Sequence, residues 1–404
     1  DRRAELELDL RIAVSDPLGD LRGLASVEAE RCNERALVLS QRPAITWEKA
    51  WTALYSYMFV HLVRPNQRKA SEIAAQLVSR AEGREGAEHL LADSGTYLAC
   101  ARMYSGEFEP AAERFDQSWH LFETIAKVEL TPQRAEQMRR ARRVQRRLGS
   151  HENNRALSAW NLWFLGYPDR ALERMNLAST IAYSGTRTML ADIHGFASYL
   201  HELRREPREM RQRAEARLAL STESSYAIGR PLSEIYLGWA DAIAGDYERG
   251  IARIRDNQAQ MKTAGSELAN DRCAAFIATT LGRLKRFDEG LRTIDEGFHF
   301  IERTGQKYYE AELHRLKGEM LLGKERSNFA RAEESFIAAI EIARKQHAKS
   351  WELRAITSLA RMLAKNRKRD RARTMLAEIY NWFTEGFGTA DLKDAKALLE
   401  QLSS

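Results

Sequence analysis

Few strings in this sequence come near to chemistry. Gly318-Glu319-Met320-Leu321-Leu322-Gly323-Lys324-Glu325 has most of the spacing of a phosphate-binding loop, in which backbone N–H groups cradle phosphate and a lysine meets its charge. Its last residue is Glu325, where Ser or Thr would hold magnesium, and the apolar pattern around it predicts a helix with no strand before it. ATP binding is not expected there. The nine histidines are dispersed, and only His194 and His201 share a helical face, without a Cys or carboxylate to complete a metal-ligand set. No Gly-x-Ser-x-Gly elbow marks a nucleophile. Cys32, Cys100 and Cys273 are odd in number and widely spaced, which argues against a disulfide framework or zinc module and suits a reducing cytoplasm. The chain therefore reads as one that binds rather than catalyses, with no cofactor expected.

The elements that would position a binding surface are helices. Of 404 residues, 44% are apolar and 30% charged, with a net charge of +6, enough for a large core and too polar for a membrane protein. The longest apolar run, Ala53 to Val63, is broken by Ser56 and His61. No signal peptide opens the sequence, and its start at Asp1 suggests a piece of a longer protein. None of the eight prolines follows Pro231, so the last part offers no obligatory helix break.

One phrase recurs: a small residue, a polar turn, an aromatic, then Ala or Gly three residues on. Gly106-Glu107-Phe108-Glu109-Pro110-Ala111, Gly166-Tyr167-Pro168-Asp169-Arg170-Ala171, Gly245-Asp246-Tyr247-Glu248-Arg249-Gly250 and Lys285-Arg286-Phe287-Asp288-Glu289-Gly290 are its clearest copies; weaker ones end at Met210, Ala332 and Ala372. The last residues of the copies are spaced by 60, 39, 40, 40, 42 and 40. Each unit of about 40 residues predicts two helices and a short turn.

The small residues, the glycine–aromatic turn, and pairs such as Ala111 with Phe115 or Ala332 with Phe336 resemble the tetratricopeptide repeat, lengthened from its usual 34 residues. The resemblance implies an all-α, right-handed superhelical solenoid. From about Asn161 onward, strings such as Leu162-Trp163-Phe164-Leu165-Gly166-Tyr167, Ala311-Glu312-Leu313-His314-Arg315-Leu316 and Ala348-Lys349-Ser350-Trp351-Glu352-Leu353 look like the C-terminal repeat region of bacterial STAND-type ATPase signalling proteins, linked to nucleotidyl cyclases or transcription regulators. That resemblance implies a cytoplasmic sensor of a small ligand or peptide, controlling an upstream ATPase and effector. Neither membrane nor nucleic acid is an expected partner. A constitutive protein–protein scaffold is the alternative.

The repeat likeness also implies which positions face the groove. The ninth position of successive first helices reads Trp160, Tyr199, Trp239, Thr279, Glu319 and Arg361; the fifth reads mostly small, with Arg315, and the second includes Arg272. With helices about 8–10 Å apart, three aromatics would form a strip of roughly 20 Å, able to stack on a ligand while the charged groups read polar edges. The expected groove is Trp160, Trp163, Tyr199, Trp239, Arg272, Arg315, Glu319 and Arg361. The same rings could instead fill gaps between repeats.

Arg134, Arg139, Arg140, Arg142, Arg143, Arg146 and Arg147 crowd one predicted helix. Clustered cations need solvent or anions, so the segment reads as a domain contact, a solvated face or a polyanion patch. The expected organisation is divergent helical repeats over 1–129, the basic insert over 130–154, regular repeats over 155–388 and a capping helix over 389–404.

Overall fold

The computed structural model describes residues 2–23, 25–127, 150–183, 186–221 and 228–403. Arg134, Arg139, Arg140, Arg142, Arg143, Arg146 and Arg147 lie outside these residues. Nineteen α-helices and no strand occur among the described residues. An opening pair, α1 (Arg2–Arg22) and α2 (Val27–Ser40), precedes α3 (Trp47–Val63), α4 (Gln67–Ala81), α5 (Glu88–Tyr104) and α6 (Phe108–Lys127). Then come α7 (Ser150–Phe164), α8 (Pro168–Tyr183), α9 (Arg187–Leu203), α10 (Pro207–Ser221), α11 (Gly229–Ile243), α12 (Tyr247–Thr263) and α13 (Asn270–Arg283). The chain ends with α14 (Phe287–Thr304), α15 (Glu310–Lys324), α16 (Phe329–Lys345), α17 (Lys349–Lys365), α18 (Arg369–Trp382) and α19 (Ala390–Ser403). From α3 to α18 these form eight consecutive antiparallel pairs, wound as a right-handed superhelix.

The repeating phrase has a physical meaning. Ala111, Met210, Gly250, Gly290, Ala332 and Ala372 are each the fourth residue of a second helix, as is Ala171, and all are buried. There a second helix crosses its first. At Gly250 an added Cβ would lie 2.6 Å from the carbonyl oxygen of Gly238 on the partner helix, so the approach depends on both glycines. Ala70 holds the same place in α4 and adds a pair that the phrase does not reveal. The turns share one geometry. The N–H of Tyr167, Asp246 and Arg286 donates to the carbonyl five residues earlier, and the preceding Gly166, Gly245 and Lys285 have positive φ, the usual helix-ending device.

The wide spacing before Ala171 does not interrupt the stack. Asn154 on α7 donates to Thr96 on α5 (3.0 Å) and to the carbonyl of Phe115 on α6 (3.1 Å), while Asn161 donates to the Phe108 carbonyl (2.9 Å). The pair α7–α8 thus docks directly on α5–α6.

Successive turns of the superhelix touch each other. The last carbonyl groups of a helix lack partners within it, and donors from far along the chain satisfy them here. Val63 O accepts from Ser266 Oγ (3.0 Å) and Tyr104 O from the Lys307 N–H (2.7 Å). Trp163 O accepts from Ser350 Oγ, and Leu203 O from Arg354. The first helices line the inner side, so this closure presses their aromatic residues together. Trp163 meets Trp351 edge to face at 4.8 Å, and Tyr199 stacks with Tyr309 at 6.4 Å. Among the described residues no helix is long and apolar enough to cross a membrane.

Candidate functional site

On the inner side, between the turns, a cavity of about 600 Å³ remains. First helices from α9 to α17 and the terminal helix α19 all contribute to its lining. One wall is apolar: Met210, Trp239, Ile243, Phe276, Phe287 and Met320. Trp239 lies parallel to Phe276, with ring centroids 4.7 Å apart and planes 5° apart. Phe276 is buried, whereas Trp239 stays part-exposed, so a second flat group has a stacking surface of the kind aromatic rings favour.

The other wall is charged. Arg315 donates to both carboxylate oxygens of Glu312 at 2.8 and 2.7 Å, and further to Ser358 and Glu319. Arg354 is held by Asp391 (2.9 Å) and by the Leu203 carbonyl, with its guanidinium over Trp163 and Trp351. Burial acts to raise the Asp391 pKa, but Arg354 and Arg205 together hold it below the ordinary aspartate value. Glu202, at the end of α9, accepts a hydrogen bond from Tyr309 Oη at 2.9 Å, and burial pushes its pKa up to about 7. Arg205, Arg283, Arg361 and Asp394 stand nearer the mouth, where Arg205 pairs with Asp394 at 2.8 Å.

Of the groove residues expected from sequence, the fold brings Trp239, Arg315, Glu319 and Arg361 together around this cavity. The other four go elsewhere. Trp160 is buried, its Nε1 donating to Phe196 O (2.9 Å) and its ring edge-on to Tyr199 at 4.6 Å. Tyr199 is fully covered by Trp160, Tyr309 and the Arg272 guanidinium, 4.2 Å from its ring. Arg272 is itself buried and donates to Tyr236 Oη. Trp163 packs on Trp351. The expected three-ring exposed strip is therefore corrected to one accessible ring: the neighbouring pair, through Phe196 and Tyr199, covers Trp160, and Tyr308 and Tyr309 of the next superhelical turn cover Tyr199.

Sequence reasoning missed Phe276, Glu202, Asp391 and Arg205. Nothing local distinguished Glu202, which follows His201 in the polar end of its helix. Nothing local distinguished Asp391. The Gly318–Glu325 string lies in α15 and its C-terminal turn, with Gly318 packed under the Phe336 ring.

Fold and cavity define a tetratricopeptide-like α-solenoid with a partly filled inner channel. No family model matches the sequence, and no curated protein matches it. Among solved structures, the chain is similar to a Rap protein complexed with competence and sporulation factor: TM-score 0.62, 11% identity, 99% of each chain covered. It also matches aspartyl phosphate phosphatase F from Bacillus subtilis, with TM-score 0.48 and 10% identity over 93% of each chain. A STAND protein with a tetratricopeptide repeat sensor from Pyrococcus horikoshii matches at TM-score 0.43 and 13% identity, over 94% of this chain and 55% of that one. These neighbours are helical-repeat proteins, and the likeness is one of fold.

Proposed function

We propose that this chain is the sensing region of a cytoplasmic bacterial signalling protein of the STAND type, whose inner cavity takes a small ligand or a short peptide and thereby controls an upstream ATPase and effector. The observation that carries the reading is the composition of the cavity wall. Residues from Glu202 to Asp394 meet there, so one bound molecule would touch five first helices and the terminal helix. Its binding energy would then depend on how the repeats are rotated against one another. Such a ligand shifts the population toward the arrangement it fits better, by its differential affinity alone. The STAND-like strings of the sequence, the buried free cysteines and the Rap neighbour, crystallised with competence and sporulation factor, support the reading. The basic segment around Arg139 to Arg147 is assigned to contact with the upstream domains.

Thermal-shift screening of the chain against metabolites and short peptides tests it. A stabilising compound whose effect disappears in a folded Trp239→Ala variant is the expected result; a screen with no such compound sinks the proposal. A second reading, a constitutive scaffold, draws on Leu6, Leu10 and Val14, which are exposed at four-residue spacing on α1. It predicts a partner protein lost on Leu10→Glu, with the cavity irrelevant.

A further inference from the structure

Most charged side chains of the cavity are already engaged. Arg315 has Glu312, Glu319 and Ser358; Arg354 has Asp391 and a backbone carbonyl. An anionic ligand would have to break these contacts to reach either guanidinium. Glu202 is different. It is nine-tenths buried, lines the cavity, and has only Tyr309 Oη on its Oε2. Among the described residues its Oε1 accepts no hydrogen bond, and no cationic side chain stands within ion-pair distance. A carboxyl at a cavity wall with one oxygen open gains from any donor that reaches it, most of all a charged one.

Resting on the sensor reading above, we infer that the cavity selects a small organic cation: an ammonium group placed against Glu202 Oε1, joined to a flat apolar body that lies on Trp239. The wall supplies what each half needs. Trp239 is braced from behind by Phe276, so its free face is available to a ring, and the apolar side chains of Met210 and Met320 adapt around it. The ammonium replaces water at a carboxylate in a low-dielectric setting, where a charge-assisted hydrogen bond is strongest.

The charged and titratable groups facing Glu202 are known from each element packed around it. Tyr309 and Glu312 approach from α15, Arg354 from α17, Arg272 from α13, and Tyr236 from α11. Burial outweighs Arg354, the Tyr309 hydrogen bond and Arg272, and moves the Glu202 ionisation up to about 7. An alkylammonium titrates near ~10 and keeps its charge throughout the neutral range. A cation therefore binds best once Glu202 has lost its proton, and binding expels the proton from any Glu202 still protonated.

The test is titration calorimetry of the full chain with tryptamine as the probe and indole-3-propionate as its anionic counterpart. Tryptamine is expected to bind saturably, about tenfold more tightly at pH 8 than at pH 6, since ionised Glu202 grows by that factor. Glu202→Gln keeps the acceptor for Tyr309 and is expected to lose tenfold or more in affinity at pH 8, while Lys396→Ala, exposed on α19 and outside the cavity lining, keeps it. Absence of tryptamine binding, equal binding by Glu202→Gln, or tighter binding of the propionate overturns the inference. Should Glu202→Gln fail to fold, the wild-type profile decides, and a flat affinity from pH 6 to 8 overturns it. If tryptamine fails while another compound stabilises the wild type but not Trp239→Ala, the sensor stands and only the cation assignment falls.

Discussion

Glu385 and Asp169 cap each other across a separation of more than two hundred residues. Glu385 Oε1 accepts from the backbone N–H groups of Asp169 and Arg170, 3.0 Å each, at the start of α8. Asp169 Oδ2 accepts in return from the Gly386 N–H at 2.8 Å. This is the reciprocity of a capping box, built between two turns of a superhelix instead of within one helix.

Because the cap joins distant repeats, its loss is felt globally. Glu385→Ala is expected to destabilise the chain by about 1–2 kcal/mol, as N-cap removal does, and Glu385→Gln by less than half of that. Urea midpoints check it. Equal midpoints for Glu385→Ala and wild type would show that the turns hold without this contact.

Three turns place a charged residue where glycine is favoured: Arg205, Lys285 and Arg367 have φ of 59°, 60° and 60°. A Cβ in this left-handed region carries a penalty of about 1 kcal/mol or more, partly offset by the flexibility glycine adds to the unfolded chain. Lys285→Gly is expected to raise stability by about 0.5–1 kcal/mol, while Gly245→Ala, at φ 102°, lowers it. Thermal melts of the two variants give the signs. Arg205 is excluded from this exercise because its side chain pairs with Asp391 and Asp394.

Two tryptophans at the cavity wall separate binding from folding. Trp351 is fully buried, donates to the Tyr308 carbonyl at 2.9 Å and meets Trp163 and Tyr309 edge to face. Trp351→Ala is expected to cost about 3–5 kcal/mol. Trp239→Ala removes a part-exposed ring and is expected to cost less than about 2 kcal/mol, in proportion to the smaller area it hides. Chemical denaturation of both variants compares them; similar losses would mean that Trp239 is a core residue.

The buried carboxyls set a pH dependence whose sign can be worked out. Burial raises Glu202 from 4.5 to about 7, and Asp271 and Asp192 from 3.8 to about 6. The folded state holds these protons more tightly than the unfolded chain. Their stabilisation is complete below about pH 4 and is lost as pH rises to about 7. For Glu202 alone this amounts to roughly 3 kcal/mol. Glu202→Gln is expected to flatten the fall in stability between pH 4.5 and 7, measured by urea unfolding at several pH values; an unchanged slope would place the proton elsewhere.

The repeat was legible because one packing constraint writes itself into every unit. Wherever a second helix crosses its first, only a small or flexible residue fits four positions in, and that slot recurs at Ala111, Ala171, Met210, Gly250, Gly290, Ala332 and Ala372. The earlier copy at Ala70 escaped notice because its turn, Arg64-Pro65-Asn66, lacks the glycine and aromatic that flag the others. Nothing about the arginines of 134–147 can be compared in this way, since they lie outside the described residues.

The amino-acid order by itself determined the helices and their pairing, since both follow from contacts within about 40 residues. The repeat likeness added which side of each first helix is expected to turn inward, and of the residues it named, Trp239, Arg315, Glu319 and Arg361 line the cavity. Which inward residues stay open was decided only by the tertiary structure. Small rotations between neighbouring repeats accumulate along the stack, and their sum brings Tyr308, Tyr309 and Trp351 over Tyr199 and Trp163 while leaving Trp239 uncovered. No single repeat encodes that sum, so neither the covering of Tyr199 by Tyr309 nor the meeting of Glu202 with Tyr309 could be read from local pattern.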